Sequence, residues 1–305
     1  MLSVWSNSSG EESRPRVSIV ISAYLSHATI GSTLSALRAQ TFCDFETIVV
    51  DSSPDDRTRR IAAAYPGVKV VASPTRLTPC SARNRGIALA RGDLIVCTDP
   101  DAYPEPTWLS RLVAEHERTG GIVAGACRCF GDRWLDHGIH FVKFAALLPR
   151  RSRRAAVAGT VNCLLPRWVF EALGPFSEEV APADALFSWR AAQAGLSITF
   201  APDAVVYHHH LDHLRAIVQN RLRWGNDLAR ARTAHFRWSR GRSLLWALLS
   251  FFPVRLMWSV LRDARRAAEA RLLRRYLVTL PVYLAGTYAT LVGEACGYFR
   301  RAVRL

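Results

Sequence analysis

Four short apolar runs punctuate the first hundred residues: VSIVIS (Val17–Ser22), FETIVVD (Phe45–Asp51), VKVVAS (Val68–Ser73) and DLIVCT (Asp93–Thr98). Helical patterns fill the gaps, from about Ala28 to Ala39, from the polar break SSPDD to about Tyr65, and from Pro79 to Arg91. A strand that is apolar on both faces has no solvent side, so both faces have to be covered. The β-α-β-α-β-α-β order therefore predicts an α/β fold, a parallel sheet with helices on both faces. Sheets of this kind bind ligands beyond the carboxyl ends of their strands. Asp51 closes the second run, and Asp99 and Asp101 follow the fourth, in VCTDPDAYPEP. Two like charges one residue apart at a strand end have two explanations, an Asx-type turn or a bound cation. The chain has no G-x-G-x-x-G after its first run and no G-x-x-x-x-G-K-[ST] anywhere. The dinucleotide and P-loop readings lose their main support. A metal ion could then supply the charge neutralisation that glycine-rich loops give a diphosphate.

After Gly121 the order changes. GIVAGACRCF reads as a strand, and a basic, irregular middle follows (Arg150–Arg154). RWVFEALG reads as a short helix closed by Gly174. Pro182–Ala194 reads as another, with proline first and Asp184 in the first turn, where the helix dipole favours an anion. LSITF and DAVVYHHH predict two short strands, and alternation puts Ala204, Val206, His208 and His210 on one face.

Beyond Leu211 the pattern is helical. The chain's charge of +15 is concentrated there: from His208 onward eighteen arginines face five acids, a net +13, which leaves +2 for the first 207 residues. The arginines are interleaved with Trp, Leu and Phe, a pattern suited to an anionic membrane surface. Two apolar segments, Leu244–Leu261 and Leu277–Gly293, read as membrane-associated helices, re-entrant, interfacial or marginally spanning. Two buried helices of a soluble domain are the alternative. No nucleic-acid-binding motif accompanies the charge, so a nucleic-acid partner is not expected. Seven cysteines without regular spacing argue for a reducing compartment and against a disulfide framework. Cys127 and Cys129 form a C-x-C pair with no second pair at zinc-ligand spacing. Residues 1–15 read as a polar lead-in without a signal-peptide core.

The residues then resemble a family. PRVSIVISAY (Pro15–Tyr24), TLSALRAQTFCDFETIVVDSSPDD (Thr33–Asp56) and ARNRGIALARGDLIVCTDPDAYPEPTWL (Ala82–Leu109) are similar to the family 2 glycosyltransferases, inverting enzymes with the GT-A nucleotide-sugar-binding fold. LLPRWVFEALGPFSEE and SWRAAQAGLSITFAPDAVVYHHH extend the resemblance, which runs from Arg16 to about Arg232. It implies a catalytic domain over 16–210, with a mostly parallel, Rossmann-like central sheet, and a basic, apolar helical region over 211–305. The resemblance also implies that Ser22, Ala23, Tyr24, Asp51, Ser53, Arg83, Asn84 and Asp99 bind the donor nucleotide. Asp101, with Asp99 and His208, would hold Mg²⁺ or Mn²⁺ across the diphosphate.

Inversion is a single displacement, so a base takes the acceptor's proton. In ADALFSWR (Ala183–Arg190) the resemblance gives Asp184 that role and keeps Arg190 on the acceptor side. Phe187 replaces the family's leucine, and Ala183 and Leu186 replace acidic residues, which bears on acceptor geometry. RLRWGNDLARAR (Arg221–Arg232) is similar to a helix bordering the acceptor channel and puts Arg223 and Trp224 there. Gln219 stands one residue too far from Arg223-Trp224 for the processive Q-x-x-R-W pattern. The resulting expectation is a non-processive transferase of nucleotide-sugars at the cytoplasmic face of the cell membrane. Its acceptor would be a hydroxyl on a lipid-linked, cell-envelope or polysaccharide molecule. A soluble cytoplasmic enzyme of small metabolites and a non-catalytic scaffold are the alternatives.

Overall fold

The computed structural model describes residues 4–5, 14–150, 154–178, 182–210 and 213–303. Most of the expected lead-in, and residues 151–153 of the basic middle, lie outside the described residues. The chain divides into two compact units. The first takes in 1–127, 152–178 and 187–208; the second takes in 128–151, 179–186 and 209–305.

The first unit is built on one sheet. Its strands are β1 (Val4–Trp5), β2 (Val17–Ala23), β3 (Phe45–Asp51), β4 (Val68–Ala72), β5 (Leu94–Thr98), β6 (Ala102–Pro104), β7 (Ile122–Phe130), β8 (Asn162–Pro166) and β9 (Ile198–His209). They lie in the order β1-β4-β3-β2-β5-β8-β7-β9-β6. The four strands anticipated from the apolar runs form the parallel centre, β4-β3-β2-β5, with Val17 opposite both Phe45 and Leu94. Ile19, Val20, Ile21, Ile48, Val49 and Val50 are fully buried, as strands covered on both faces require. The helices between them are α1 (Ile30–Arg38), α2 (Arg57–Ala63) and α3 (Pro79–Leu89). Pro79 opens α3 and the Thr78 hydroxyl caps it, accepting from Ser81 N–H at 3.1 Å. Helices α4 (Trp108–Thr119) and α6 (Arg167–Leu173) follow; α5 (Trp134–Phe144) belongs to the second unit, as does the first turn of α7 (Ala183–Gln193).

The other strand pairs named here, β5–β8, β7–β8 and β6–β9, are antiparallel. A buried asparagine knits this half together. Asn162 on β8 donates to the carbonyls of Ala126 (2.8 Å) and Ala204 (2.9 Å) and accepts from the Trp108 indole (2.8 Å). Truncating it leaves a buried indole N–H without its acceptor and opens a void. Asn162→Ala is therefore expected to cost about 3 kcal/mol of unfolding free energy, read as a lower denaturation midpoint at unchanged slope.

One expectation needs correction. LSITF and DAVVYHHH are one strand, β9, not two. Pro202 lies inside it, and proline's fixed φ is compatible with extended backbone.

The second unit is helical: α5, a 3₁₀ turn (Ala145–Leu147), then α8 (Leu214–His235), α9 (Arg240–Phe251), α10 (Pro253–Glu269), α11 (Leu273–Val278) and α12 (Leu280–Val303). α12 lies backbone to backbone on α8. A Cβ on Gly225 would stand 2.1 Å from the Thr290 carbonyl oxygen, and one on Gly293 would stand 2.1 Å from that of Leu222. Of the two apolar segments, the second is thus largely an internal one: Val282, Tyr283, Gly286, Ala289, Leu291 and Gly293 are buried in this unit. Several half-buried arginines pair with the buried acids of this unit. Asp263 accepts from Arg262, Arg266 and the Tyr283 hydroxyl, and Glu294 accepts from Arg255 (2.7 Å) and Arg232 (3.4 Å). Among the described residues no single helix is long and apolar enough to cross a membrane.

Candidate active site

Between Thr98, the end of β5, and Ala102, the start of β6, only Asp99-Pro100-Asp101 remains to make the turn. Ala102 N–H donates to the Asp99 carbonyl (3.2 Å), and the Thr33 hydroxyl on α1 donates to that of Pro100 (2.8 Å). The β6–β9 register sets Ala102 opposite His208. That pairing brings His208 Nε2 to 3.4 Å from Asp101 Oδ1 and 4.0 Å from Asp99 Oδ2. One ligand atom from each of the three residues lies within 4.8 Å of the others. Two carboxylates and an imidazole, at the carboxyl end of the sheet and partly open to solvent, are a donor set that fits Mg²⁺ or Mn²⁺.

Asp99 has a second partner. Arg83 Nη2 on α3 donates to Asp99 Oδ1 at 2.6 Å. Burial works against the Arg83 charge, yet the Asp99 carboxylate beside it holds its pKa above the ordinary arginine range. Gly86, within α3, explains how the helix comes so close: a Cβ there would meet Val20 Cγ1 at 2.4 Å. Asn84 is spent on the loop after α6. Its Nδ2 donates to the Phe176 carbonyl and to Glu178 (2.9 Å each), while its Oδ1 accepts from Phe176 N–H (3.0 Å). Those hydrogen bonds, first from Asn84 and then from Ser81, hold the Glu178 carboxyl below its usual range.

A second cluster sits at the ends of β2, β3 and β4. Asp51 is fully buried and accepts from the Ser53 hydroxyl (2.6 Å) and Arg59 (3.0 Å). Ser53 Oγ in turn accepts from Leu25 N–H at 2.7 Å. Ser22 and Ala23 finish β2, and Tyr24 is exposed with the Arg76 guanidinium 4.4 Å from its ring centroid. Arg59 and Arg76 were not anticipated; among so many arginines neither carries a sequence signal of its own.

Arg190 is occupied by backbone. Its two terminal nitrogens donate to the carbonyls of Leu173 (2.9 Å) and Pro175 (2.7 Å), and its guanidinium lies 5.1 Å from the centre of the Phe187 ring. It ties down the carboxyl end of α6. In the second unit Asp184 opens α7 and accepts from its neighbour, Ala185 N–H, at 2.8 Å. Its charge acts on Arg221 of α8. Burial pulls the Arg221 pKa down to about 10, with Asp184 working in the opposite direction. Arg221 also lies over the Trp224 ring at 4.3 Å, one helical turn along α8, whereas Arg223 is exposed. The spacing of Arg221 and Trp224, three apart on one helix, was the signal available in the sequence.

The second unit holds another group of potential ligands, Cys129, His140 and His210. His140 Nδ1 and His210 Nε2 are hydrogen-bonded at 3.2 Å. Burial, with Asp136 nearby, pushes the Cys129 thiol up to about 12, so it stays protonated at neutral pH.

The profile described as Glycosyl transferase family 2 matches residues 18–171, half of the chain. The chain belongs to glycosyl transferase family 2. It is similar to glycosyltransferase AglE of Haloferax volcanii, 30% identical over 203 residues, or 64% of this chain and 67% of that one. It is also similar to the succinoglycan biosynthesis protein ExoO of Rhizobium meliloti, 34% identical over 112 residues, 36% of this chain and 32% of ExoO. Among solved structures, a mannosyltransferase from Pyrobaculum calidifontis, in complex with GDP-Man and Mn²⁺, superposes with a TM-score of 0.63 at 20% identity. That match covers 96% of this chain and 89% of the other. At that identity the likeness establishes the GT-A fold, as expected. The protein is a glycosyltransferase.

Proposed function

We propose that this glycosyltransferase moves a sugar from a nucleoside-diphosphate sugar to a hydroxyl acceptor, with inversion at the anomeric carbon and with help from a divalent metal. The observation that carries the reading is the convergence of Asp99, Asp101 and His208 at the β5–β6 turn, with Arg83 anchoring Asp99 from below. Asp101, Asp99 and His208 would hold the ion, which when bound neutralises charge on the leaving diphosphate. The Tyr24 ring with Arg76 offers the nucleobase a flat face, and Asp51 with Ser53 offers its edge hydrogen-bonding groups. Arg83 fixes the rotamer of Asp99, so that carboxylate needs little reorganisation when a ligand arrives. Asp184 would accept the acceptor's proton, with Arg221 steadying its charge and Trp224 offering a stacking face for sugar. Two likenesses support the substrate classes: one neighbour is complexed with GDP-Man and Mn²⁺, and ExoO takes part in succinoglycan biosynthesis. In this reading the acceptor is a hydroxyl on a lipid-linked, cell-envelope or polysaccharide molecule.

A thermal-shift panel of nucleotide-sugars, with and without Mn²⁺, tests the donor half. Ligand at a hundred times its Kd adds about 2.7 kcal/mol, so one donor is expected to raise Tm by several degrees only when metal is present. No shift with any nucleotide-sugar would count against the reading. Proton NMR of the product tests the stereochemistry: retention at the anomeric carbon would exclude a single displacement.

A further inference from the structure

In a helix that faces water the large apolar side chains turn inward. α9 does the reverse. Its buried positions are Ser243, Ala247 and Ser250, while Leu244, Leu245, Leu248 and Leu249 point outward. α10 continues the pattern with Val254, Met257, Trp258 and Leu261, spaced i, i+3, i+4, i+7, as one exposed stripe; Val254 is 73% and Trp258 61% exposed. Its inner face carries Asp263, paired with arginines, and Ala267. The two helices meet at Phe252-Pro253 with a bend of 70°, and Phe251 and Phe252 stand exposed at the elbow. Small and polar residues inside with leucines outside is the arrangement an apolar solvent selects, not water.

Charge identifies that solvent. Arg240 and Arg242 are exposed at the start of α9, and Arg265, Arg271 and Arg274 are exposed at and beyond the end of α10. An apolar elbow bordered at both ends by cations matches acyl chains below anionic head groups. A second copy of the chain would instead bring like charges face to face. The bend sets the depth. At 1.5 Å per residue the 12 residues of α9 reach about 18 Å and the 17 of α10 about 25 Å, so neither crosses a hydrocarbon core of about 30 Å alone. Together they are long enough only as a pair broken by 70°, and cations at both ends of the elbow favour a pair that enters and leaves by the same leaflet.

We propose that the α9–α10 elbow is a monotopic anchor, inserted into one leaflet of a bilayer containing anionic lipid. It does not span, and α12, the other apolar segment, packs inside its own unit. The inference goes beyond the transfer reaction, since binding to lipid requires neither donor nor metal.

Flotation of the full chain tests it, using vesicles of phosphatidylcholine alone or with about one third phosphatidylglycerol. The protein is expected to float with the anionic vesicles and at least about tenfold less with the neutral ones. A Leu245→Glu, Leu248→Glu, Trp258→Glu variant is expected to bind at least about a hundredfold more weakly. Arg240→Gln with Arg242→Gln should lose about fivefold or more for the anionic vesicles alone. A conservative check on the same surface is Trp258→Phe, which should lose much of the emission quenching that brominated lipid causes in the unaltered protein. Wild type that stays at the bottom of the gradient overturns the proposal, whether it is monomeric or closed on a second copy through this face. So does a triple variant that floats like wild type, or quenching that Trp258→Phe leaves unchanged.

Discussion

Asp101→Ala is expected to abolish Mn²⁺-dependent donor binding and to lower turnover at least about a thousandfold, while the melting temperature stays near that of the wild type. The size follows from the chemistry. Charge develops on a diphosphate in the transition state, and one fixed donor aimed at such charge is worth about two to three powers of ten, before the metal's own contribution. The near-neutral effect on stability follows from position, because the Asp101 side chain is 30% exposed on a turn whose backbone is held by Thr33 and by Ala102 N–H. The neighbouring carboxylate should behave differently. Asp99→Ala strands the buried Arg83 guanidinium without its partner, which costs about 3 kcal/mol of stability in addition to activity. Turnover and chemical denaturation measured on both variants separate the two roles.

Asp184→Asn is the second large effect. Amide for carboxylate keeps the shape and the first-turn position on α7 but removes the proton acceptor, so kcat is expected to fall by about two to four powers of ten. Donor affinity, measured by titration calorimetry, should stay within about threefold, because the base acts on the acceptor and not on the nucleotide. Hydrolysis of the donor by water, if it occurs, should be affected less than transfer. A variant that transfers sugar at the wild-type rate would remove Asp184 from the mechanism.

How much of this was visible beforehand depended on how local the determinants were. The parallel centre was legible because apolar strands covered on both faces need no partner's help to be recognised, and Pro66-Gly67, Pro79 and SSPDD mark the breaks between them. β6 was not: three residues, Ala-Tyr-Pro, have no periodicity, and they are a strand only because β9 pairs with them. β8 was hidden in NCLLP for the same reason. α5 escaped notice because its inward face carries Asp136, His137 and His140, and a mid-helix glycine where Val282 leaves no room for a Cβ. His208 meeting Asp101 was foreseeable from strand alternation and the family resemblance, whereas the burial of Arg221 and the exposure of Arg223 depend on how α8 is rotated against α12. The membrane reading divided in the same way. Composition marked two apolar segments alike, and only packing shows one turned inward and the other turned out.

The most direct test of the central claim is the electron paramagnetic resonance spectrum of Mn²⁺ titrated into the protein with the nucleoside diphosphate of the preferred donor. The account expects one equivalent of bound Mn²⁺ that appears with the nucleotide and is lost in both Asp101→Ala and His208→Ala. Bound Mn²⁺ that persists unchanged in both variants, or full donor affinity in the presence of a chelator, would contradict it.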